Sequence, residues 1–149
     1  MIVGLTRFAN KGHIARAALE ATAYQTYDLV EAMLADTRVA RLVELRVDGG
    51  MTRNDLLMQF QADVLGSPVA APAVTEITAT GAAYAAGLAT GFWSGLDELR
   101  ANYATTRRWQ PQMDSDERAA GVASWHRAVD HTLGLVDTKQ ETDGAKVPA

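Results

Sequence analysis

From Gly12 to Ala35 the chain repeats at helical spacing, with Ile14, Ala17, Ala18, Ala21, Tyr24, Gln25, Leu29, Ala32 and Met33 on one expected face. Asn10 is placed to cap the start, Arg16 stands four residues before Glu20, and the run of alanines lets a partner approach closely. From Leu42 to Val47 the period falls to two. Val43, Leu45 and Val47 alternate with Glu44 and Arg46, the pattern of a strand. Thr52 to Leu65 returns to helix, with Leu56, Leu57, Phe60, Val64 and Leu65 inward and Gly66 as the stop.

Ser67 to Val74 is a short extended piece whose Pro68 and Pro72 point to strand ends or a sheet edge rather than a central position. Ala79 to Thr90 reads as a helix in which Gly81 and Gly87 each cost about 1 kcal/mol of propensity against alanine, a cost that implies close backbone packing. Gly91 ends it, Phe92 and Trp93 are expected to fill a gap beside the core, and Leu96 to Asn102 forms a short helix. Tyr103 to Trp109 favours a strand stopped by Pro111. A last helix is expected from Ser115 to Leu133, with Asp114, Asp116 and Glu117 at its positive end and Val122, Trp125, Val129 and Leu133 inward. Residues 1–135 read as one partial domain and 136–149, without periodicity, as a disordered tail. Strands alternating with helices make the architecture α/β.

Composition narrows the function classes. A chain of 149 residues with 48% hydrophobic and 21% charged residues can build a core, since a domain of this size buries roughly 70% of its unfolded surface. A net charge of −4 with no long Lys/Arg run gives no footprint for nucleic acid or an anionic membrane. No apolar run approaches the roughly 20 residues that span a bilayer. Zero cysteines exclude disulfides and thiolate metal sites and suit a cytoplasmic address.

Candidate chemistry concentrates in R-V-D-G-G-M-T-R-N at 46 to 54, where a strand gives way to a helix. In open α/β sheets ligands gather beyond the carboxyl ends of strands, glycine lets a ligand lie against bare backbone, and the following helix offers unpaired N–H groups. Gly49 and Gly50 could form such a wall, with the Asn54 amide one turn into the helix. Alone the pattern is weak, because Gly-Gly after a strand most often makes a plain tight turn.

Five stretches together say more: G-L-T-R at 4 to 7, H-I-A-R-A-A-L-E-A-T-A-Y-Q-T at 13 to 26, R-V-D-G-G at 46 to 50, N-D-L-L-M-Q-F-Q-A-D-V-L-G at 54 to 66 and T-A-T-G-A-A-Y-A-A-G-L-A-T-G-F-W at 78 to 93. In this order they resemble the C-terminal part of the bacterial glycerol kinases, a branch of the FGGY carbohydrate kinases, over about residues 2 to 133. The resemblance implies a helix-rich, partial actin-like ATPase domain with a ribonuclease-H-like core, binding ATP/ADP and using Mg²⁺. It also implies that Gly50 and Asn54 contact the adenosine end of the nucleotide, with Gly49 in the same turn and Asp48 matching the acidic residue before it. One departure is Asp55, where many members carry a second asparagine; a capping role in the helix's first turn would explain it.

By the same resemblance the glycerol site, the catalytic aspartate and most phosphate contacts precede Met1 in the family. The chain is therefore expected to hold no catalytic residue and no Mg²⁺ ligand, and to be the tail portion of a split or truncated kinase, meeting glycerol only through a complementing chain. An inert fragment, a non-catalytic module that binds a partner or forms a homo-oligomer, and a kinase for another polyol or sugar are the alternatives. The remaining polar residues have structural readings. His13 is a surface or capping residue, His126 and His131 fall on different helical faces, Asp48 is held by backbone N–H groups, Tyr84 is packing, and Arg107-Arg108 and Lys11-Arg16 are too sparse for an anion site.

Overall fold

The computed structural model describes residues 1–73, 77–102 and 105–133. In chain order these form α1 (Lys11–Thr37), β1 (Leu45–Arg46), one turn of 3-10 helix (Gly50–Arg53), α2 (Asp55–Leu65), β2 (Val69–Pro72), α3 (Ile77–Ala89), α4 (Leu96–Asn102), β3 (Thr105–Trp109) and α5 (Ser115–Asp130). The Val74 end of the second expected strand, Tyr103 and Ala104, and the expected tail 136–149 lie outside the described residues.

α1 starts where its cap predicts. Asn10 Oδ1 accepts from the backbone N–H groups of Gly12 at 2.9 Å and His13 at 3.3 Å, and His13 Nδ1 accepts in return from the Asn10 N–H at 3.2 Å. Its buried face, however, is the expected one only in part: Tyr24 packs against Phe60 and the core as expected, and most of the rest differs. Ala23 and Val30 are buried with Leu19 and Tyr27 beside them, while Ile14, Leu29 and Met33 are 42%, 61% and 57% exposed. A helix so rich in alanine offers several apolar stripes, and α2 selects among them: the buried Gln61 donates from Nε2 to the Ala23 carbonyl at 3.3 Å, fixing which side of α1 faces inward.

The strands form one sheet in the order β1-β2-β3. β1 and β2 are parallel, with Leu45 opposite Val69; the Leu45 N–H donates to the Pro68 carbonyl and the Val47 N–H to the Ala70 carbonyl, both at 2.9 Å. β2 and β3 are antiparallel, with Val69 opposite Trp109. The proline-flanked strand is thus central, not an edge. It tolerates its prolines because Pro68 precedes the ladder and contributes only a carbonyl, whereas Pro72 ends it where the register shifts after Ala71. β1 is shorter than expected, and Val43 is 79% exposed; the chain before β1 is held by the Ser67 hydroxyl, which donates to the Leu42 carbonyl at 3.0 Å.

α2 covers the sheet. Leu57, Met58, Phe60, Ala62 and Val64 join Ala23, Val69, Ala71 and Trp109 in the core, while Leu56, expected inward, is half-exposed. Fully burying a side chain such as Val64 or Val69 contributes about 1.5–3 kcal/mol. α3 is peripheral. Gly87 permits the Trp93 indole to lie where a Cβ would stand, but Gly81 faces open space and Phe92 is exposed, so close packing holds at Gly87 alone and Trp93 alone fills the gap. α5 is capped by Asp114 and ends at Asp130, leaving Leu133 exposed. It docks through Asp28 of α1, whose carboxylate meets Trp125 Nε1 and His126 Nε2, each at 2.7 Å, while Tyr24 stacks on Trp125. Among the described residues no helix is long and apolar enough to cross a membrane.

Candidate functional site

Because β1 and β2 run parallel, their carboxyl ends open on the same side, and residues 47–54 leave the sheet there. Gly49 has φ 84° and ψ 177°, a backbone region that glycine occupies almost alone. Gly50 has no such constraint, yet a Cβ built on either glycine meets no atom within 4 Å. The two glycines therefore differ in cause. Gly49 makes the bend, whereas nothing in this chain requires Gly50 to lack a side chain, and its backbone borders open space.

The bend is fixed from beneath. Thr52 is buried, its hydroxyl donating to the Gly49 carbonyl at 2.8 Å and its N–H to the same carbonyl at 3.2 Å. Arg107 of β3 donates from Nη1 to the Thr52 carbonyl at 3.1 Å. Asn54 is not one turn into the helix but stands just before it, with φ −87° and ψ 97°, and its Oδ1 accepts from the Leu57 N–H at 3.1 Å. It is the N-cap of α2, and among the described residues its Nδ2 has no hydrogen-bond partner. Asp55 consequently does not cap. Its carboxylate pairs with the Arg107 guanidinium and accepts from Trp109 Nε1 at 3.2 Å, with Arg107 lying 4.8 Å over the Trp109 ring.

Beside the bend, Asp48 lines a cavity of about 210 Å³ with Arg46, Val47, Pro72 and Ile77. Arg46 also borders a larger one of about 570 Å³ with Tyr84, Leu96, Leu99 and Arg100. Asp48 is exposed and, among the described residues, its carboxylate accepts no hydrogen bond, contrary to the expectation that backbone N–H groups hold it. A third cleft of about 470 Å³, lined by Tyr27, Leu42, Ser67 and Arg118 among others, lies toward the amino end of β2, away from the glycines.

The structure brings Gly49, Gly50 and Asn54 into one short arc and keeps the other candidates apart from it. His13 serves the α1 cap, His126 pairs with Asp28, and Asp114, Asp116 and Glu117 start α5. Arg107 and Arg108 are engaged by Asp55 and Glu44. Among the described residues no three His, Asp or Glu side chains gather where they could hold a metal ion. Thr52, Arg107 and Trp109, which support the bend, escaped the sequence reading. A hydroxyl three residues after Gly49 was the available signal for Thr52; the other two act from more than fifty residues away.

The C-terminal domain of the FGGY family of carbohydrate kinases matches residues 1–90. The chain belongs to the FGGY family. Over 137 residues this FGGY chain is 59% identical to the glycerol kinase of Methylorubrum extorquens, a match covering 92% of the chain and 27% of that relative. It is 60% identical over 136 residues to the glycerol kinase of Leifsonia xyli, covering 91% and 27%. Among solved structures, Plasmodium falciparum glycerol kinase with ADP superposes with a TM-score of 0.82 at 33% identity, over 91% of this chain and 27% of that one. The chain spans about a quarter of the length of the curated relatives it matches. Its helix-rich architecture with a small mixed sheet is a partial FGGY domain of the actin-like, ribonuclease-H-like class, as the sequence led us to expect.

Proposed function

We propose that this chain is the C-terminal, nucleotide-binding part of an ATP-dependent glycerol kinase acting in the cytoplasm, and that its Gly49-Gly50 bend and Asn54 form one wall of the adenosine pocket. The observation that carries the reading is the open, side-chain-free backbone at Gly50, fixed by Thr52 and Arg107 and lying beyond the carboxyl ends of two parallel strands. A planar group can rest on such a surface, and the Asn54 Nδ2 has a donor to offer beside it. The relatives are named glycerol kinases and the solved neighbour holds ADP, which supports a nucleotide as the ligand of this chain.

ATP supplies the phosphoryl group for transfer; the residues of this chain bind and orient the nucleoside end. On family likeness we assign the metal ligands, the glycerol contacts and the base to polypeptide outside this chain. The purified 149-residue chain is accordingly expected to show no glycerol phosphorylation. The test joins this chain to the remainder of the M. extorquens enzyme in place of its matched quarter. In that active chimera Gly50→Val should raise KM for ATP tenfold or more, roughly 1.4 kcal/mol of lost binding, and leave KM for glycerol unchanged. An unaltered KM for ATP would overturn the assignment.

A further inference from the structure

Asp48 stands exposed directly before the bend, and its carboxylate is unlike most others in the chain. Asp28 is engaged by Trp125 and His126, Asp55 by Arg107, Asp63 by Gln59, Asp97 by Arg100, and Asp114 by the first N–H groups of α5. Among the described residues the Asp48 carboxylate accepts no hydrogen bond, and it borders the cavity of about 210 Å³ with Arg46, Val47, Pro72 and Ile77, which gives the side chain room to turn. The next residue is Gly49. Its N–H likewise has no partner among the described residues, and no side chain shields its nitrogen. An unengaged carboxyl followed by an unengaged glycine N–H is the arrangement in which a chain can close on its own side chain.

We propose that Asp48-Gly49 is a site of spontaneous isoaspartate formation. The Gly49 nitrogen attacks Cγ of the protonated Asp48 side chain; an N–Cγ bond forms, and the N–H hydrogen leaves with the carboxyl hydroxyl as water. The product is a five-membered succinimide. Water then adds to one of its two carbonyls. Opening at Cγ restores aspartate, whereas opening at the former peptide carbonyl leaves the chain running through Cβ and Cγ, which is isoaspartate. Water is the only other reactant. The change lengthens the backbone by one carbon, about 1.5 Å, immediately before Gly49. Thr52 and Arg107 hold the far side of the bend, so the added length is absorbed at Gly49 and Gly50. The consequence for ATP rests on the adenosine reading; the chemistry does not.

Ageing the 149-residue chain in warm neutral buffer tests the proposal, and the sequence carries its own clock in its other Asp-Gly pair, Asp143-Gly144. Folded chain and chain unfolded in urea are incubated side by side until half of the clock pair in urea has converted. Isoaspartate is then located by peptide mass spectrometry with electron-based fragmentation. An open site gains no protection from folding, so conversion at Asp48 in the folded chain should lie within about threefold of that in urea, and a value lower by about tenfold or more would overturn the proposal. Asp63 is the contrast, since its Oδ1 accepts from Gln59, Gln112 and Met113 and its neighbour Val64 is branched. It should stay unconverted in the folded chain, and conversion there equal to that at Asp48 would also overturn the proposal. In the chimera, the isoaspartate form should bind ATP about tenfold more weakly than the fresh protein. Isoaspartate at Asp48 without that loss would uphold the modification and count against the adenosine wall.

Discussion

Asn54 Oδ1 accepts the backbone N–H of Leu57 at 3.1 Å, so the residue proposed to meet the nucleoside is also the N-cap of the core helix α2. The two roles use different atoms of one amide, and substitution can separate them. Asn54→Ala should cost about 1 kcal/mol in urea unfolding, whereas Asn54→Asp keeps an acceptor at the cap and should stay near wild type. In the chimera both should weaken ATP binding, since neither retains the Nδ2 donor. Equal stability of all three forms would remove the cap from the explanation.

The neighbouring glycines should respond differently. Gly49→Ala forces a Cβ into a strained backbone region and should cost about 1–3 kcal/mol in stability. Gly50→Ala meets open space and should change stability by less than about 0.5 kcal/mol. Thermal melting of the two variants, with ATP titration of the chimera, checks both. The account expects a stability defect at Gly49 and an affinity defect at Gly50.

Asp55 links α2 to β3 through Arg107 and Trp109; its own carboxylate is solvent-exposed and the Arg107 side chain half-buried. Asp55→Ala should therefore cost only about 1 kcal/mol, less at high salt. Its more specific effect is on position, because Arg107 also holds the Thr52 carbonyl under the bend. Hydrogen exchange at residues 49–54 should accelerate in this variant even where global unfolding barely changes.

At the start of α5 the Asp114 carboxyl is held below the ordinary carboxylate range, first by the Glu117 N–H and then by the Asp116 N–H. A pKa lowered by folding stabilises above the unfolded value of about 3.9, and the contribution is lost as pH falls through the lower folded value. Order in α5 should be flat from neutral pH to about 5 and decline below about 4. Asp114→Asn keeps a capping oxygen without titrating and should flatten that part of the decline, as read by amide exchange across residues 115–121.

Local signals in the sequence located most elements: the Asn10 cap, the Gly66 stop and the acidic start of α5 all rest on neighbours within one turn, whereas the two-residue period at Val43–Val47 marked β1 but overran it at Val43. What sequence could not supply was partner choice. α1 is apolar on two faces, and packing against α2, which includes the Gln61–Ala23 hydrogen bond across thirty-eight residues, decides which is buried. The prolines of β2 suggested an edge because spacing cannot reveal that one lies before the ladder and the other at a register shift. At the site, the glycines and Asn54 were legible as a motif. The cap geometry of Asn54 and the Asp55–Arg107–Trp109 support were not, since they depend on β3 returning from far along the chain.

The central claim is that adenosine rests on the Gly49-Gly50 backbone, and amide NMR of the isotope-labelled 149-residue chain titrated with ATP to millimolar concentration tests it most directly. The largest shifts should fall on the backbone N–H groups of Gly49, Gly50 and Met51 and on the Asn54 side-chain amide. Shifts confined to the cleft between Tyr27, Ser67 and Arg118, or none at residues 48–54, would contradict it.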